Sequence, residues 1–287
     1  MKDDFRSLPD QKISSSKTPV RRFVFASDFD DTLYFHDGRG LQKTDAEAIR
    51  RFQEAGHCFV LCTGRPAALR KDIEDLVSGQ VSFDYEIYSC GSVILDRYGN
   101  RIFESPLDET FVRKAAEFAP VVPLKAHQEG AILYSGDMDQ TDRGKKASSP
   151  EDFSAKPVYE ISFPLDNPLS EEAVLKLKSC PEAACYENRH IADFVNRGVS
   201  KATGLDFICR IENVPFENSA AMGDSFNDLS MIKHASYGFT FPDAETSVVD
   251  QAGYIRGSLH EALEMLMALS DRPDTDLNGE SDRQKVS

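Results

Sequence analysis

The sequence predicts an α/β protein: a parallel sheet covered by helices on both faces, interrupted by an α+β insertion. Three observations lead there. Short, wholly apolar runs alternate with amphipathic stretches near both ends of the chain, the pattern of βαβ units. The middle third abandons that alternation for hairpin-like and mixed segments. The clusters of reactive polar residues follow apolar runs or open helices, where open α/β sheets bind ligands.

The elements follow in order. Phe23-Val24-Phe25-Ala26-Ser27 is a buried-strand pattern. A helix is expected over about 44–55, with Thr44 and Glu47 as a capping box, Ile49 and Phe52 as its inner stripe and Gly56 as its end. His57 to Cys62 reads as the second strand, with Cys58 and Cys62 on one core face. Pro66 marks a helix start, with Leu69, Ile73, Leu76 and Val77 as its apolar face. Tyr85 to Tyr88 is the third strand, and Ser92–Asp96 with Arg101–Glu104 flank a Tyr98-Gly99-Asn100 turn. Residues 106–190 then combine helices near 108–118 and 169–179, strand-like runs at 131–135, 157–163 and 182–186, and a long polar loop over 137–155. Phe111, Ala115 and Phe118 form a packing stripe on the first of those helices. The alternation resumes with a helix at about 199–212, a strand at Ser219–Met222 and a helix at 227–234. Strands are expected at Tyr237–Phe241 and Tyr254–Ile255, and a last helix at 259–269 with Ser258 and Glu261 as its capping box. The expected organisation is a core domain from 22–105 and 191–270, an inserted domain at 106–190, and disordered ends at 1–21 and 271–287.

Composition narrows the function. The 287 residues carry a formal net charge of −15, which disfavours nucleic acid and anionic membrane surfaces as partners. The chain opens without an apolar signal region and has no run long enough to span a bilayer, so a soluble cytoplasmic protein with reduced thiols is expected. None of the six histidines forms a His-x-x-x-His pair, and none is assigned to metal or catalysis. Lys145-Lys146 read as solvated residues of the polar loop.

Four clusters carry chemistry. Asp28-Phe29-Asp30-Asp31-Thr32 ends the first strand, and residues two apart on an extended chain face the same way. Asp28 and Asp30 can therefore share one site, one carboxylate attacking phosphorus and the other moving protons. Residue types alone do not say which is which, and an acidic loop has the same composition. Thr63-Gly64-Arg65-Pro66 offers a hydroxyl, an open backbone and a helix N-terminus, suited to a phosphate or to an ordinary turn. Lys201 opens a helix, where a cation opposes the dipole unless an anion is held there. Gly223-Asp224-Ser225-Phe226-Asn227-Asp228 follows a strand. Asp224 is placed to complete a hard-cation site, and Asn227 and Asp228 to orient it.

Together these residues resemble the haloacid dehalogenase-like (HAD) phosphatases, Cof-type group, over about residues 22–270. Asp28, Asp30 and Thr32 match Asp-x-Asp-x-Thr; Thr63-Gly64-Arg65, Gly198-Val199-Ser200-Lys201 and Gly223-Asp224 with Asn227-Asp228 match the later motifs. Cys90-Gly91 stands where the family often has Asn-Gly, and Phe241-Pro242-Asp243-Ala244 where Met-Gly-Asn-Ala is usual. The resemblance implies a Rossmann-like core with an inserted α/β cap, Mg²⁺ as cofactor and a small phosphorylated metabolite as substrate. A sugar phosphate, or a cofactor such as pyridoxal phosphate or FMN, is the class it implies. It implies Asp28 as nucleophile and metal ligand, Asp30 as acid/base and carbonyl ligand to the metal, and Asp224 as metal ligand. Thr63, Gly64 and Lys201 would hold phosphoryl oxygens, with Thr32, Arg65, Asn227 and Asp228 in support. A phosphotransferase or phosphomutase, or an inactive binding protein on the same fold, are the alternatives; a dehalogenase would leave Asp30 no oxygen to protonate.

Overall fold

The computed structural model describes residues 21–136, 144–187 and 190–271. Residues 1–20 and 272–287, most of the two ends expected to be disordered, lie outside them, as does 137–143 of the expected polar loop. In chain order the elements are β1 (Val24–Ser27), β2 (Tyr34–Phe35), β3 (Gly40–Leu41), α1 (Lys43–Glu54), β4 (Cys58–Cys62), α2 (Arg70–Leu76), β5 (Tyr85–Tyr88), β6 (Val93–Asp96) and β7 (Arg101–Glu104). There follow α3 (Glu109–Ala116), β8 (Leu124–Gln128), β9 (Ala131–Ser135), β10 (Gly144–Lys146), β11 (Val158–Pro164), α4 (Pro168–Lys178), β12 (Ala183–Glu187) and β13 (Ile191–Asn196). The chain ends with α5 (Lys201–Ile211), β14 (Ser219–Met222), α6 (Leu229–His234), β15 (Tyr237–Thr240), α7 (Thr246–Val249), β16 (Tyr254–Ile255) and α8 (Leu259–Ser270).

The first sheet runs β16-β15-β14-β1-β4-β5-β6-β7. Its strands are parallel from β16 to β5, and β6 and β7 add an antiparallel edge. After β1 the chain builds outward through β4 and β5; after the insertion it returns to the other side of β1 with β14. The strand order therefore reverses at β1, and the crevice beyond its carboxyl end is the place such sheets bind ligands. Both faces are packed. Phe25, Phe59 and Phe239 meet Phe52 of α1 and Leu263 and Leu266 of α8 on one face. Cys58, Val60 and Cys62 meet Leu205 and Ile208 of α5 on the other, which bears out the core placement of both cysteines. Strands buried on both faces explain why these runs read as continuous apolar segments.

The second sheet runs β10-β9-β8-β11-β13-β12 and is antiparallel except at β10–β9. One of its faces packs on α3 and α4 through Phe111, Ala115, Phe163, Leu177 and Phe194. β13 belongs to this sheet, pairing Phe194 with Ile161 and Cys185, so the second unit runs on past the boundary expected at residue 190. The Ser92 hydroxyl, just before β6 of the first sheet, donates to Tyr159 O of β11 (2.9 Å), and past β7 the chain enters the second unit with Leu107 N donating to Val158 O (2.7 Å).

Several local expectations change. α1 starts at Lys43 behind Gln42, which makes no side-chain cap, so Thr44 lies inside the helix rather than capping it. The Ser258 hydroxyl does cap α8, but Glu261 bonds Gly257 N instead of completing the box. Pro66 opens a 3₁₀ turn at Ala67–Leu69, and the α-helix begins only at Arg70. Lys145 and Lys146 sit on the short strand β10 and are exposed. No helix among the described residues is long and apolar enough to cross a membrane.

Candidate active site

Asp28 continues β1 by one ladder bond, its N–H donating to Met222 O at 2.9 Å. The chain then turns sharply: Asp31 has φ +55°, and Leu33 and Tyr34 both donate to Phe29 O. Phe29 is wholly buried, while Asp28 and Asp30 both line the same cavity, as the alternation predicts. That cavity, about 860 Å³, lies between the two sheets and is of a size suited to a small-molecule ligand.

The strand ends beside β1 bring the other clusters to it. Thr63 prolongs β4, donating to Ile87 O (2.9 Å), and its hydroxyl accepts from Arg65 N (3.1 Å). Gly64 leaves its backbone open: a side chain there would reach Cys90 Sγ and the Asn227 amide. Gly223 permits a closer approach. An added Cβ would stand 2.3 Å from Asp228 Cγ, so only glycine lets that carboxylate fold back. Asp228 then accepts from Asp224 N (3.2 Å) and Ser225 N (3.1 Å). The Thr32 hydroxyl donates to Asp224 Oδ1 at 3.0 Å.

Lys201 is the first residue of α5 and only 1% exposed. Its Nζ stands 2.6 Å from both Asp28 Oδ1 and Asp228 Oδ1, which meets its conflict with the helix dipole. In this state it is enclosed by carboxylates and is not among the cavity-lining residues, unlike Thr63 and Gly64. Gly91 makes that packing possible, because at φ +111° a Cβ would lie 2.3 Å from Ser200 O.

Carboxylate oxygens of Asp28, Asp224 and Asp228 lie within 4.8 Å of one another. Three carboxylates face one lysine, so the cluster is short of positive charge. Burial, then the Asp228 carboxylate, push Asp28 well above the ordinary range against the pull of Lys201. Burial and Asp228 likewise raise Asp224 to about 7. All-oxygen, anionic donors with a charge deficit suit a hard divalent cation. Asp30 is different: its side chain takes a two-point bond from Arg65 (Nε 2.9 Å, Nη2 2.5 Å) and lies 2.6 Å from His36 Nε2. Partial burial raises its carboxyl, but Arg65 and His36 outweigh this, and the net shift is downward.

Residues 25–262 match the family model described as haloacid dehalogenase-like hydrolase. The chain belongs to the haloacid dehalogenase-like hydrolases. Among curated relatives, the 5-amino-6-(5-phospho-D-ribitylamino)uracil phosphatase YcsE of Bacillus subtilis is 24% identical over 234 residues, 81% of this chain and 88% of its own. YkrA of the same organism, also named as a phosphatase, is 23% identical over 253 residues, 82% of this chain and 91% of its own. The HAD subclass IIB sugar phosphatase BT4131 superposes with a TM-score of 0.73 at 22% identity, covering 87% of this chain and all (100%) of that one. BT1666 of Bacteroides thetaiotaomicron gives 0.73 at 20% identity, over 88% and 98%. The HAD fold expected from the motifs, a Rossmann-like core bearing a second α/β unit, is thereby borne out, in its Cof-type form.

The motif residues were readable because they stand just past strand ends, as Asp28, Thr63 and Asp224 do, or open a helix, as Lys201 does. Others were not. His36 rides the β2–β3 hairpin back onto Asp30, a contact no local pattern announces. Asp228, expected only in support, bonds Lys201 directly. From the second sheet, Lys125, His127, Glu160 and Asp193 also line the cavity. Their signal was the alternation of polar with apolar residues along β8 and in Glu160-Ile161-Ser162-Phe163 of β11, with Asp193 alone on β13, which in sequence looks like a solvent-facing side.

Proposed function

We propose that this HAD hydrolase is a Mg²⁺-dependent phosphatase of a small phosphorylated metabolite, acting through an aspartyl phosphate on Asp28. The observation that carries this reading is the buried Asp28–Asp224–Asp228 cluster, closed by Lys201 and opening on a cavity lined by Thr63, Gly64 and Arg65. Mg²⁺ held by Asp28, Asp224, the Asp30 carbonyl and, from the geometry here, Asp228 would offset the charge of the phosphoryl oxygens.

The chain's own residues divide the remaining work. The Asp28 carboxylate attacks phosphorus, and the bond from phosphorus to the ester oxygen breaks. Asp30 protonates that leaving oxygen, then takes a proton from water as the water attacks the aspartyl phosphate; phosphate leaves and Asp28 is restored. In the present state Asp30 is held ionised by Arg65 and His36, ready for the second role. The first requires that the Arg65 pair loosen, and Arg65 lines the cavity where the phosphate would draw it. Thr63, the Gly64 backbone and Lys201 hold the phosphoryl oxygens, with Thr32 and Asn227 supporting. We read the second sheet unit as the cap that excludes water and selects the leaving group. The YcsE relative is named for a phosphorylated ribityl compound, which fits a cavity of this size.

The test is hydrolysis of p-nitrophenyl phosphate with Mg²⁺, with EDTA and with Asp28→Asn. Activity is expected only for the wild type with metal, together with a phosphoryl adduct on Asp28 in quenched samples. A folded Asp28→Asn protein as active as wild type would sink this mechanism.

A further inference from the structure

Three residues in succession, Ser89, Cys90 and Gly91, take left-handed backbone, with φ +46°, +53° and +111°. Two of them carry side chains, for which this conformation is costly, and such strain persists only where the surroundings fix it. Here the surroundings do. All three are buried just past the carboxyl end of β5. The Ser89 hydroxyl lies 3.1 Å from His127 Nδ1, the Cys90 thiol lies against the Glu160 carboxyl, and Gly91 packs on Ser200 O at the start of α5.

The turn delivers two backbone bonds to the Thr63–Pro66 loop. Ser89 N donates to Arg65 O at 2.9 Å and Cys90 N to Thr63 O at 3.2 Å, so the carbonyls on either side of Gly64 are both tied down. Successive N–H groups of an extended strand point to opposite sides, so β5 could not supply both bonds by running straight on. The bond to Thr63 matters most. A trans peptide is planar, and its C=O and N–H point opposite ways. Holding Thr63 O at Cys90 N therefore fixes the direction of the Gly64 N–H, which belongs to the same peptide. That N–H makes no hydrogen bond among the described residues, and Gly64 lines the cavity together with Asp28. The Thr63 N–H is taken by Ile87 O, the Arg65 N–H by the Thr63 hydroxyl, and Pro66 has none. The Gly64 N–H is thus the one main-chain donor this loop keeps for a ligand.

We propose that the left-handed Ser89–Gly91 turn is a positioning element for phosphoryl transfer, which through Cys90 N and Thr63 O aims the Gly64 N–H at a phosphoryl oxygen. The inference rests on the phosphatase reading above and deepens it. Ser89 and Cys90 are positioning residues, acting through the Thr63–Gly64 peptide. A donor aimed where charge develops in the transition state acts on kcat more than on KM.

The test replaces Cys90 by Val, whose β-branched side chain resists positive φ, and by Gly, which adopts it freely. Both variants lose the thiol and keep the N–H. With Mg²⁺ and p-nitrophenyl phosphate, Cys90→Val is expected to lose about tenfold to a hundredfold in kcat while KM moves by less than about threefold. Inhibition by orthovanadate, which mimics five-coordinate phosphorus, is expected to weaken by about tenfold or more in the same variant. Cys90→Gly is expected to stay within about threefold of wild type in kcat and in vanadate inhibition. Equal losses in the two variants would trace the effect to the thiol and overturn the inference. So would a loss confined to KM, or a folded Cys90→Val with the kcat and vanadate inhibition of wild type. Should Cys90→Val not fold, the wild-type amides decide. In ¹⁵N spectra with Mg²⁺, inorganic phosphate is expected to shift the Gly64 amide proton downfield and to slow exchange of the Cys90 amide; either one unchanged overturns the inference. Wild type inactive on the ester with Mg²⁺ defeats the phosphatase reading itself, whereas Asp28-dependent activity that Cys90→Val leaves intact defeats only this inference.

Discussion

Replacing Lys201 by Met keeps the side chain's length and removes its charge. Among the described residues Nζ is the one cation between Asp28 and Asp228, 2.6 Å from each, at 1% exposure. Removing one partner of a buried ionic cluster costs about 3–5 kcal/mol, because the remaining charges stay buried and unpaired. At about 2–4 °C per kcal/mol for a chain of this size, the melting temperature should fall by about 6–20 °C. The loss should depend on pH in a definite sense. Without Lys201 the folded-state carboxyls are raised above their unfolded value near 3.9. The variant therefore keeps its stability at low pH, where they are protonated, and loses it as pH rises. The assay is thermal melting of both proteins in EDTA across pH 5.5–8, and the gap should widen toward pH 8. Hydrolysis of p-nitrophenyl phosphate by the variant with Mg²⁺ should fall by about 10²–10³. A Lys201→Met protein melting within about 2 °C of wild type at pH 8 would refute the claim that this lysine offsets a buried acidic cluster.

Gly223→Ala should cost about 1–3 kcal/mol and most of the activity, since its Cβ would stand 2.3 Å from Asp228 Cγ; melting and turnover measured together would show both. Gly91→Ala adds a positive-φ penalty to a 2.3 Å clash with Ser200 O, so a loss of about 2–4 kcal/mol by denaturant titration is expected. Arg65→Ala releases Asp30 from its strongest partner, so the Asp30 carboxyl should rise and the acid limb of the pH–rate profile should move to higher pH; an unmoved limb would remove Asp30 from the proton-transfer role. Chelation of divalent metal should abolish turnover, and Mg²⁺ should restore it more fully than Ca²⁺, whose longer bonds and irregular coordination would hold a phosphoryl oxygen less rigidly beside Asp28.

The core sheet was legible because its strands are buried on both faces, which leaves continuous apolar runs such as Val24–Ser27 and Cys58–Cys62. The strands of the second sheet were harder. β8 (Leu-Lys-Ala-His-Gln) alternates Lys and His with apolar residues, β13 (Ile-Ala-Asp-Phe-Val-Asn) is broken by Asp193, and both escaped recognition. Helix starts slipped by a residue or more where tertiary packing overrode local caps, at Gln42 for α1 and after the 3₁₀ turn for α2.

The amino-acid sequence alone determined where the candidate groups stand: which carboxylates, hydroxyl and glycines follow strands, which lysine opens a helix, and in what order. Those positions are set by local rules, since a residue beside a β-strand's end or a helix's first turn is placed by its own segment. Only the tertiary structure decided what these groups do to one another. It closed Lys201 between Asp28 and Asp228, set His36 and Arg65 on Asp30, and turned a charged sheet face inward over the cavity that Asp28 lines. Those contacts join residues up to 173 positions apart, and their energies depend on shared burial, which no single segment specifies.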